Sequence, residues 1–320
     1  MNKQPIMIVA GEPNSVFLEI FFKCLKIYKP KSPIVIIVSK KLLQDQMSKL
    51  GFNFKINNID KDFNKFDKLD NKKINLINVN YEFNKCFDKI SDKSNDYINQ
   101  SFKIALHIIK KNNLYKFING PISKKYFLKG KNLGITEYLA KKNKKKDVVM
   151  LIFNKKLSVS PLTTHLALKN VHENISHKKI TTQATLINSF YKKHFNKKPR
   201  IAITGLNSHC ESNFQNSEED SVIIPAIKYL KNKRLRIKGP FAADTIFMSE
   251  NIKNFDVIIG MYHDQVLSPM KALFGFDAIN ITLGLPYVRI SPDHGPNSSM
   301  LGKNLSNPKS LLNALKFLDK

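Results

Sequence analysis

Short apolar runs recur along the chain at the spacing of an α/β protein, and this recurrence constrains the fold more than any other feature. Most of the runs are rich in Ile and Val, as the buried strands of a parallel sheet are. Segments with helical periodicity lie between several of them, an alternation typical of α/β architecture. The sequence therefore predicts a largely parallel sheet covered by helices. The predicted strands are 6–10, 34–38, 74–79, 148–153, 200–204, 257–261 and 278–283.

The clearest predicted helix follows Ser94, in the segment SNDYINQSFKIALHIIKK. Its apolar residues recur on one helical face, and Ser94 is available as the N-cap. Another helix is predicted after Ser217, with Pro225 implying a kink or a later start. The segment SNPKSLLNALKFL closes the chain as an amphipathic helix. By contrast, residues 52–96 are rich in Asn, Lys and Asp, and we expect a surface region with one strand, at 74–79.

Length and composition bound the class of protein. A chain of 320 residues that is 42% hydrophobic can bury a large core and is expected to divide into two domains. The cysteines, Cys24, Cys86 and Cys210, show no metal-like or redox-like spacing, which indicates a reducing cytoplasm and not a disulfide framework. The apolar run 6–10 is too short for a signal peptide or a membrane span. The sequence therefore predicts a cytoplasmic protein with no membrane partner.

The formal net charge of +28 raises the alternative of a non-catalytic protein that binds nucleic acid or another polyanion. The lysines, however, are scattered along the chain and far outnumber the arginines, which are the better readers of bases and phosphates. One dense basic run, KKNKKKD at 141–147, lies between a predicted helix and a strand. We therefore expect a solvated basic surface and no nucleic-acid partner.

Histidines follow three of the predicted strands or strand regions: His165 in SPLTTHLAL, His209 in IAITGLNSHC and His263 in VIIGMYHDQ. Ligand-binding groups of α/β sheets collect beyond the carboxyl ends of the strands. Three imidazoles with one open position form a workable ligand set for a catalytic divalent metal. The alternative is that each histidine only caps or hydrogen-bonds its own loop, and the sequence leaves these two interpretations about equal.

Charged and polar residues accompany the histidines. Asp264 adjoins His263, and Asp244 lies in GPFAADTIF; either carboxylate can orient a ligand or accept a proton. Lys271 and Arg289 are candidates for binding a phosphate or carboxylate, with Asn280 between them in the chain. The chain contains no G-x-G, so the Rossmann fingerprint of dinucleotide-binding proteins is absent.

An ordered series of motifs resembles the 4-hydroxythreonine-4-phosphate dehydrogenase family. The series begins with GEPNSVFLEI, continues through NGPISK and GITEYLA, and becomes highly specific in the second half of the chain. There it comprises TTHLAL, GLNSH, GPFAADTIF, MYHDQ and NITLGLPYVRISPDHG. The resemblance extends from about residue 6 to residue 318.

The resemblance implies two α/β/α domains with a cleft between them, like isocitrate and isopropylmalate dehydrogenases and unlike a Rossmann fold. We place the first domain at 1–135 plus 275–320 and the second, which carries the histidines, at 136–274. The family oxidises the 3-hydroxyl of 4-phosphohydroxy-L-threonine with NAD or NADP, and the product loses carbon dioxide to give 3-amino-2-oxopropyl phosphate in pyridoxal phosphate synthesis. It uses a divalent metal, which we expect to be zinc, magnesium or cobalt.

The family's functional residues can be carried over position by position. Its metal ligands match His165, His209 and His263, and its substrate contacts match Thr136, Lys271, Asn280 and Arg289. Asp244 or Asp264 is expected to be the base, and Asp293, His294 and Gly295 to contact the cofactor. The family forms homodimers whose active site lies at the interface, with one metal histidine supplied by the partner chain.

The chain departs from the family pattern at three places. Ile135 replaces a histidine that precedes the Thr-Glu pair, so one polar contact to the substrate is lost. Residues 14–17 replace small residues, and Pro296-Asn297 replaces Thr-Ala after the DHG motif. The change at Ile135 keeps open a related activity on another 4-phosphorylated hydroxy acid, such as threonate or erythronate phosphate.

Overall fold

The computed structural model describes residues 4–63, 66–130, 134–210, 216–275, 277–292 and 294–320. The strands are β1 Ile6–Val9, β2 Ile34–Val38, β3 Ile56–Asn58, β4 Ile74–Asn78, β5 Lys116–Asn119, β6 Val149–Phe153, β7 Ser158–Thr163, β8 Ile201–Thr204, β9 Ile237–Phe241, β10 Val257–Tyr262, β11 Ile279–Leu283 and β12 Val288–Pro292. The α-helices are α1 Phe17–Ile27, α2 Lys40–Lys49, α3 Asn95–Lys111, α4 Ile135–Lys142, α5 His177–Phe195, α6 Ile224–Asn232, α7 Ser249–Ile252, α8 His263–Phe274 and α9 Lys309–Leu318.

The first compact unit comprises Met1–Tyr138 and Pro286–Lys320. Its strands lie in the order β3-β4-β2-β1-β5-β12, and every neighbouring pair is parallel. The runs IMIV of β1 and IVIIV of β2 are buried at every position. This is the pattern expected where helices cover both faces of a parallel sheet.

Helix α3 of the first unit confirms the predicted amphipathic pattern, with Ile98, Phe102, Ala105 and Ile109 among its buried residues. Ser94 occupies the N-cap position of α3, as predicted, but it does not cap the helix through its side chain. Its hydroxyl makes no capping hydrogen bond and lies 3.1 Å from Oε2 of the buried Glu12 instead.

The second compact unit comprises Leu139–Leu285. Its strands lie in the order β11-β6-β7-β10-β8-β9. Strands β7, β10, β8 and β9 run parallel, whereas β6 is antiparallel to both of its neighbours. The connection from β6 to β7 is only four residues long, too short for the crossover that parallel strands need. The sheet of this unit is therefore mixed, while the prediction of a largely parallel sheet is confirmed for the first unit.

The boundaries of the units differ from the expected domain limits, most clearly at residues 275–285. These residues were expected in the first domain, but β11 pairs with β6 along its whole length, from Ile279–Phe153 to Leu283–Val149. The pairing ties β11 to the second unit. Residues 136–138 shift the other way, into the first unit.

All of the strands predicted from the sequence are present within a residue or two, and the closing helix is α9. Helix α6 begins at Ile224 with Pro225 in its first turn, but a π-helical turn at Glu219–Ile223 runs directly into it. Helical structure therefore begins just after Ser217, as predicted, and Pro225 accompanies an irregularity and not a later start. The prediction of a single strand within 52–96 is wrong, because β3 precedes β4 there and pairs with it. None of the described helices is both long and apolar enough to cross a membrane.

Candidate active site

Three neighbouring parallel strands of the second unit end at one edge of their sheet. These are β7, β10 and β8, which end at Thr163, Tyr262 and Thr204. His165, His263 and His209 each follow one of these ends within five residues. Because the carboxyl ends of parallel strands lie at the same edge, the topology places all three histidines on the side where α/β proteins bind ligands.

Buried side-chain hydrogen bonds lock these strand ends together. Thr163 Oγ1 donates to the carbonyl of Met261 at 2.8 Å, which joins β7 to β10. Gln265 Oε1 accepts from Thr204 Oγ1 at 2.8 Å and from the Met261 amide at 2.7 Å. Gln265 Nε2 donates to the carbonyl of Gly205 at 2.9 Å, which joins the first turn of α8 to the segment after β8. The backbone that carries the histidines is therefore held by groups that are themselves out of solvent.

His165 and His263 lie beside each other, with ring centroids 5.9 Å apart and ring planes inclined at 36°. His263 Nδ1 lies 3.0 Å from Oδ1 of Asp264. The backbone of His165 has a φ of 55°, the left-handed region that a non-glycine residue adopts at an energetic cost. The structure thus brings two of the predicted metal ligands together, one of them beside a carboxylate.

His209 has a different neighbour, since its Nδ1 lies 3.8 Å from Oδ2 of Asp244. Both side chains are more than half exposed. Within the described ranges, no three His, Cys, Asp or Glu side chains form a group that could hold a metal ion. A metal site made from His165, His209 and His263 together therefore stays a prediction. The family resemblance expects one of these ligands from a partner chain, so it does not require all three to meet within one chain.

Arg289 anchors a polar cluster inside the first unit. It lies on β12, has no accessible surface, and donates from Nε to Asn119 Oδ1 at 2.6 Å. Its Nη1 lies 3.4 Å from Thr136 Oγ1, near the start of α4. Burial lowers the pKa of Arg289 from 12.5 to about 10, although the charges of Tyr287 and Glu137 act in the opposite direction. Two residues predicted to contact substrate, Thr136 and Arg289, are thus in the same cluster.

The remaining predicted residues lie in several parts of the chain. Lys271 is a half-buried residue of α8, and Asn280 is a partly buried residue of β11. The buried Oδ1 of Asn280 has no hydrogen-bond partner among the described residues. His294 Nδ1 donates to the carbonyl of Gly295 at 2.8 Å, and Gly295 is exposed. Asp293 lies outside the described residues.

Sequence reasoning missed Gln265 and Asn119 as parts of the candidate site. Gln265 lies in the motif MYHDQ and Asn119 in NGPISK, so the family motifs already indicated these two positions. Their roles depend on partners far along the chain, because Gln265 bonds Thr204 and Asn119 bonds Arg289. Pairings over such distances cannot be read from spacing.

Residues 29–318 match a protein family described as pyridoxal phosphate biosynthetic protein PdxA. A 4-hydroxythreonine-4-phosphate dehydrogenase from Sulfurihydrogenibium sp. (strain YO3AOP1) is 37% identical over 98% of this chain and 96% of its own. A relative from Oceanobacillus iheyensis is 30% identical over 98% of this chain and 97% of its own. Its name proposes a D-threonate 4-phosphate dehydrogenase.

Solved structures show the same likeness. A 4-hydroxythreonine-4-phosphate dehydrogenase from Burkholderia phymatum superposes with a TM-score of 0.80 at 28% identity, covering 99% of this chain and 98% of that one. At the level of fold alone, an isocitrate dehydrogenase from Methylococcus capsulatus gives a TM-score of 0.52 at 9% identity, over 98% and 84% of the two chains. The isocitrate-dehydrogenase-like α/β fold class is therefore confirmed.

Proposed function

The chain belongs to the PdxA family of pyridoxal phosphate biosynthetic proteins, and from this premise we propose that it oxidises 4-phosphohydroxy-L-threonine at its 3-hydroxyl with NAD or NADP. The product then loses carbon dioxide to give 3-amino-2-oxopropyl phosphate. The observation that carries this proposal is the pair of imidazoles, His165 and His263, at the ends of adjoining strands. It occurs in a chain that matches a 4-hydroxythreonine-4-phosphate dehydrogenase over nearly its whole length.

The donor set of the candidate site suits a divalent metal. Imidazole nitrogens are ligands for zinc and cobalt, and for magnesium to a lesser degree. Asp264 beside His263 and Asp244 near His209 have the residue types that orient metal-bound histidines in proteins. We assign His165, His209 and His263 as the residues that would hold the ion. When bound, such an ion acidifies a coordinated hydroxyl and stabilises negative charge that develops beside it.

The chain's own residues would position the substrate and move its proton. Asp264 or Asp244 would accept the proton of the 3-hydroxyl, because each carboxylate lies beside a histidine of the predicted set. Arg289 with Thr136, and Lys271 with Asn280, would bind the phosphate and the polar end of the substrate. Binding energy spent on these remote groups positions the reacting carbon, which is how such contacts accelerate the chemical step.

The cofactor and assembly complete the proposal. Asp293, His294 and Gly295 would contact NAD or NADP, which fits a chain without a glycine-rich fingerprint. The working enzyme would be a homodimer in which a partner chain supplies one metal histidine. A cytoplasmic location agrees with cysteines that are all free.

The test is a coupled measurement of turnover and metal content. Purified protein with zinc, cobalt or magnesium and NAD or NADP should reduce the cofactor when 4-phosphohydroxy-L-threonine is added. Alanine substitutions of His165, His209 and His263 should each lower turnover by more than about a hundredfold, since changes around metal ligands alone cost about 10–100-fold. His107→Ala is the matched control, because His107 is an exposed residue of α3. No turnover with either cofactor and any of the metals would reject the proposal.

A second candidate activity is oxidation of a phosphorylated four-carbon hydroxy acid, such as threonate or erythronate phosphate. Ile135 favours it, because the start of α4 lacks the imidazole that the family usually presents there. The relative named for D-threonate 4-phosphate points the same way. Comparison of kcat/KM across these substrates decides the matter: equal or better activity on the amino acid removes the second candidate.

A further inference from the structure

The segment that carries His209 has an unusual backbone. We call residues 205–210 (GLNSHC) the His209 loop. His209 and Cys210 adopt φ values of 56° and 57°, so two successive non-glycine residues lie in the left-handed region. Such conformations persist only where surrounding contacts fix them. A residue outside the loop binds its backbone.

Glu219 is that residue. It has no accessible surface, and its carboxylate faces the His209 loop. Oε1 accepts from the backbone amides of Leu206 at 2.7 Å and Asn207 at 2.9 Å. Oε2 accepts from Asn207 Nδ2 at 2.8 Å. A buried carboxylate thus directs three hydrogen bonds into two consecutive residues of one loop.

The loop folds closely around this carboxylate. A Cβ atom placed on Gly205 would lie 2.7 Å from Glu219 Oε1 and 2.7 Å from Cys210 Sγ. Any side chain at position 205 would therefore displace the carboxylate or the far end of the loop. Gln265 holds the carbonyl of Gly205 from the other side, at 2.9 Å. The loop is fixed at its first residues, before the chain reaches His209.

We propose that Glu219 is the positioning residue for His209: it fixes the conformation of the His209 loop and so determines how well His209 serves as a metal ligand. This inference rests on the metal role given to His209 in the proposed function. Glu219 is a carboxylate at neutral pH, because the hydrogen bonds from Asn207 and Leu206 outweigh the effect of burial and lower its pKa. An anionic acceptor makes stronger bonds to amide donors than a neutral one.

The adjacent Glu218 offers a matched control. Its Oε2 also accepts from Asn207 Nδ2, at 3.0 Å, but Glu218 is only half-buried. Glu218→Gln therefore alters a neighbouring carboxylate without removing the bonds to the amides of Leu206 and Asn207. Glu219→Ala removes those bonds, and Glu219→Asp keeps the charge while withdrawing it from the amides.

The first measurement is amide hydrogen exchange of the metal-free protein. Glu219→Ala should accelerate exchange at Leu206 and Asn207, while the amides of β8 stay protected. Glu218→Gln should exchange like the wild type. Unchanged exchange at Leu206 and Asn207 in a folded Glu219→Ala protein would overturn the inference, since the loop would then be fixed by other contacts.

The second measurement is binding of cobalt, followed by its visible absorption, at a temperature where every variant is folded. Glu219→Ala should bind cobalt at least about tenfold more weakly than wild type, in the range expected for groups that orient ligands. A purely structural role would lower the melting temperature and leave the affinity of the folded protein unchanged, which would overturn the inference. Should Glu219→Ala fail to fold, Glu219→Asp decides: weaker cobalt binding supports the inference, and wild-type affinity overturns it.

One further variant separates the inference from the proposed function. If His209→Ala binds cobalt as tightly as wild type, the metal role of His209 fails and the inference fails with it. If His209→Ala weakens binding and Glu219→Ala does not, only the positioning role of Glu219 is refuted.

Discussion

Replacement of Arg289 by Met tests whether this interior guanidinium serves the fold or the substrate. The pKa of Arg289 is lowered from 12.5 to about 10. At about 1.4 kcal/mol for each pH unit, burial disfavours the charged form by about 3 kcal/mol. This cost is fully present at every pH below 10, and it is relieved only as the folded protein loses the proton between pH 10 and 12.5. At neutral pH the folded enzyme therefore carries the whole cost.

The hydrogen bonds of Arg289 offset part of this cost. The bond to Asn119 at 2.6 Å is worth about 1.5–3 kcal/mol, as bonds to charged groups are, and the bond to Thr136 at 3.4 Å is weaker. Met also fills most of the space of the Arg side chain. Because the two contributions nearly balance, Arg289→Met should change the free energy of unfolding by less than about 2 kcal/mol.

The proposed function assigns Arg289 to the oxyanion of the substrate, so ligand binding should separate the variant from wild type. The assay is urea unfolding with and without inorganic phosphate. A ligand at about 100 times its dissociation constant stabilises the folded protein by about 2.7 kcal/mol. Wild type and the exposed-surface control Arg236→Met should gain this stability, whereas Arg289→Met should not.

Two results would refute the reasoning about Arg289. A loss of more than about 4 kcal/mol in the absence of ligand would mean that the guanidinium holds the fold together. Stabilisation of Arg289→Met by phosphate to the wild-type extent would mean that the anion binds elsewhere. The control Arg236→Met tests a third explanation, in which phosphate stabilises the protein only by screening its net charge of +28.

Three further predictions concern stability. Gln265→Leu should cost about 2–4 kcal/mol in urea unfolding, since buried donors and acceptors at two strand ends lose their partner; a cost below about 1 kcal/mol would contradict the bridging role. Gly260→Ala should cost about 1–3 kcal/mol in urea unfolding, because the new methyl group would lie 2.3 Å from a methyl carbon of Val266. An unchanged midpoint of urea unfolding would show that the strand can shift to make room. Burial acts to raise the pKa of Asp319, but hydrogen bonds from Tyr28 and from backbone amides outweigh it and lower the pKa. The stability that Asp319 contributes to the folded protein is therefore lost as the pH falls through its folded-state pKa. Asp319→Asn should therefore be less stable at neutral pH and lose less stability than wild type on acidification, and parallel acid-unfolding curves would contradict this.

The sequence predicted strands that are mainly apolar and missed several that carry charged residues. Strand β5 begins with Lys116, which is buried and donates from Nζ to Ser32 Oγ at 2.9 Å. Strand β12 contains Arg289, also buried. In both strands a long-range partner makes a charged residue acceptable in the interior. Hydrophobic periodicity contains no information about such partners, so these strands cannot be found by it.

The candidate site was predictable to the extent that it depends on the positions of strand ends. His165, His209 and His263 were expected to converge because each follows a strand or strand region. His165 and His263 do lie together, because β7 and β10 are neighbours in the sheet. The structure does not add His209 to this pair, and its place in a metal site stays a prediction. Its position depends on a loop whose conformation is held by Glu219, a residue that the sequence indicated only as part of an acidic helix start.

The distribution of burial across the site separates its support from its reactive groups. Gln265 and Thr163, which join the strand ends, are buried, whereas Asp264 and His209 are exposed. Bonds between buried groups fix the backbone, and exposed side chains at its edge remain able to turn toward an ion, a substrate or a second chain. This division suits a site that is completed only when an ion and a second chain bind. If the metal-binding side chains already bonded one another within the single chain, those bonds would have to break before the ion could bind. Substitutions of the buried residues Gln265 and Thr163 should therefore lower both stability and metal affinity. Substitutions of the exposed residues Asp264 and His209 should lower metal affinity alone.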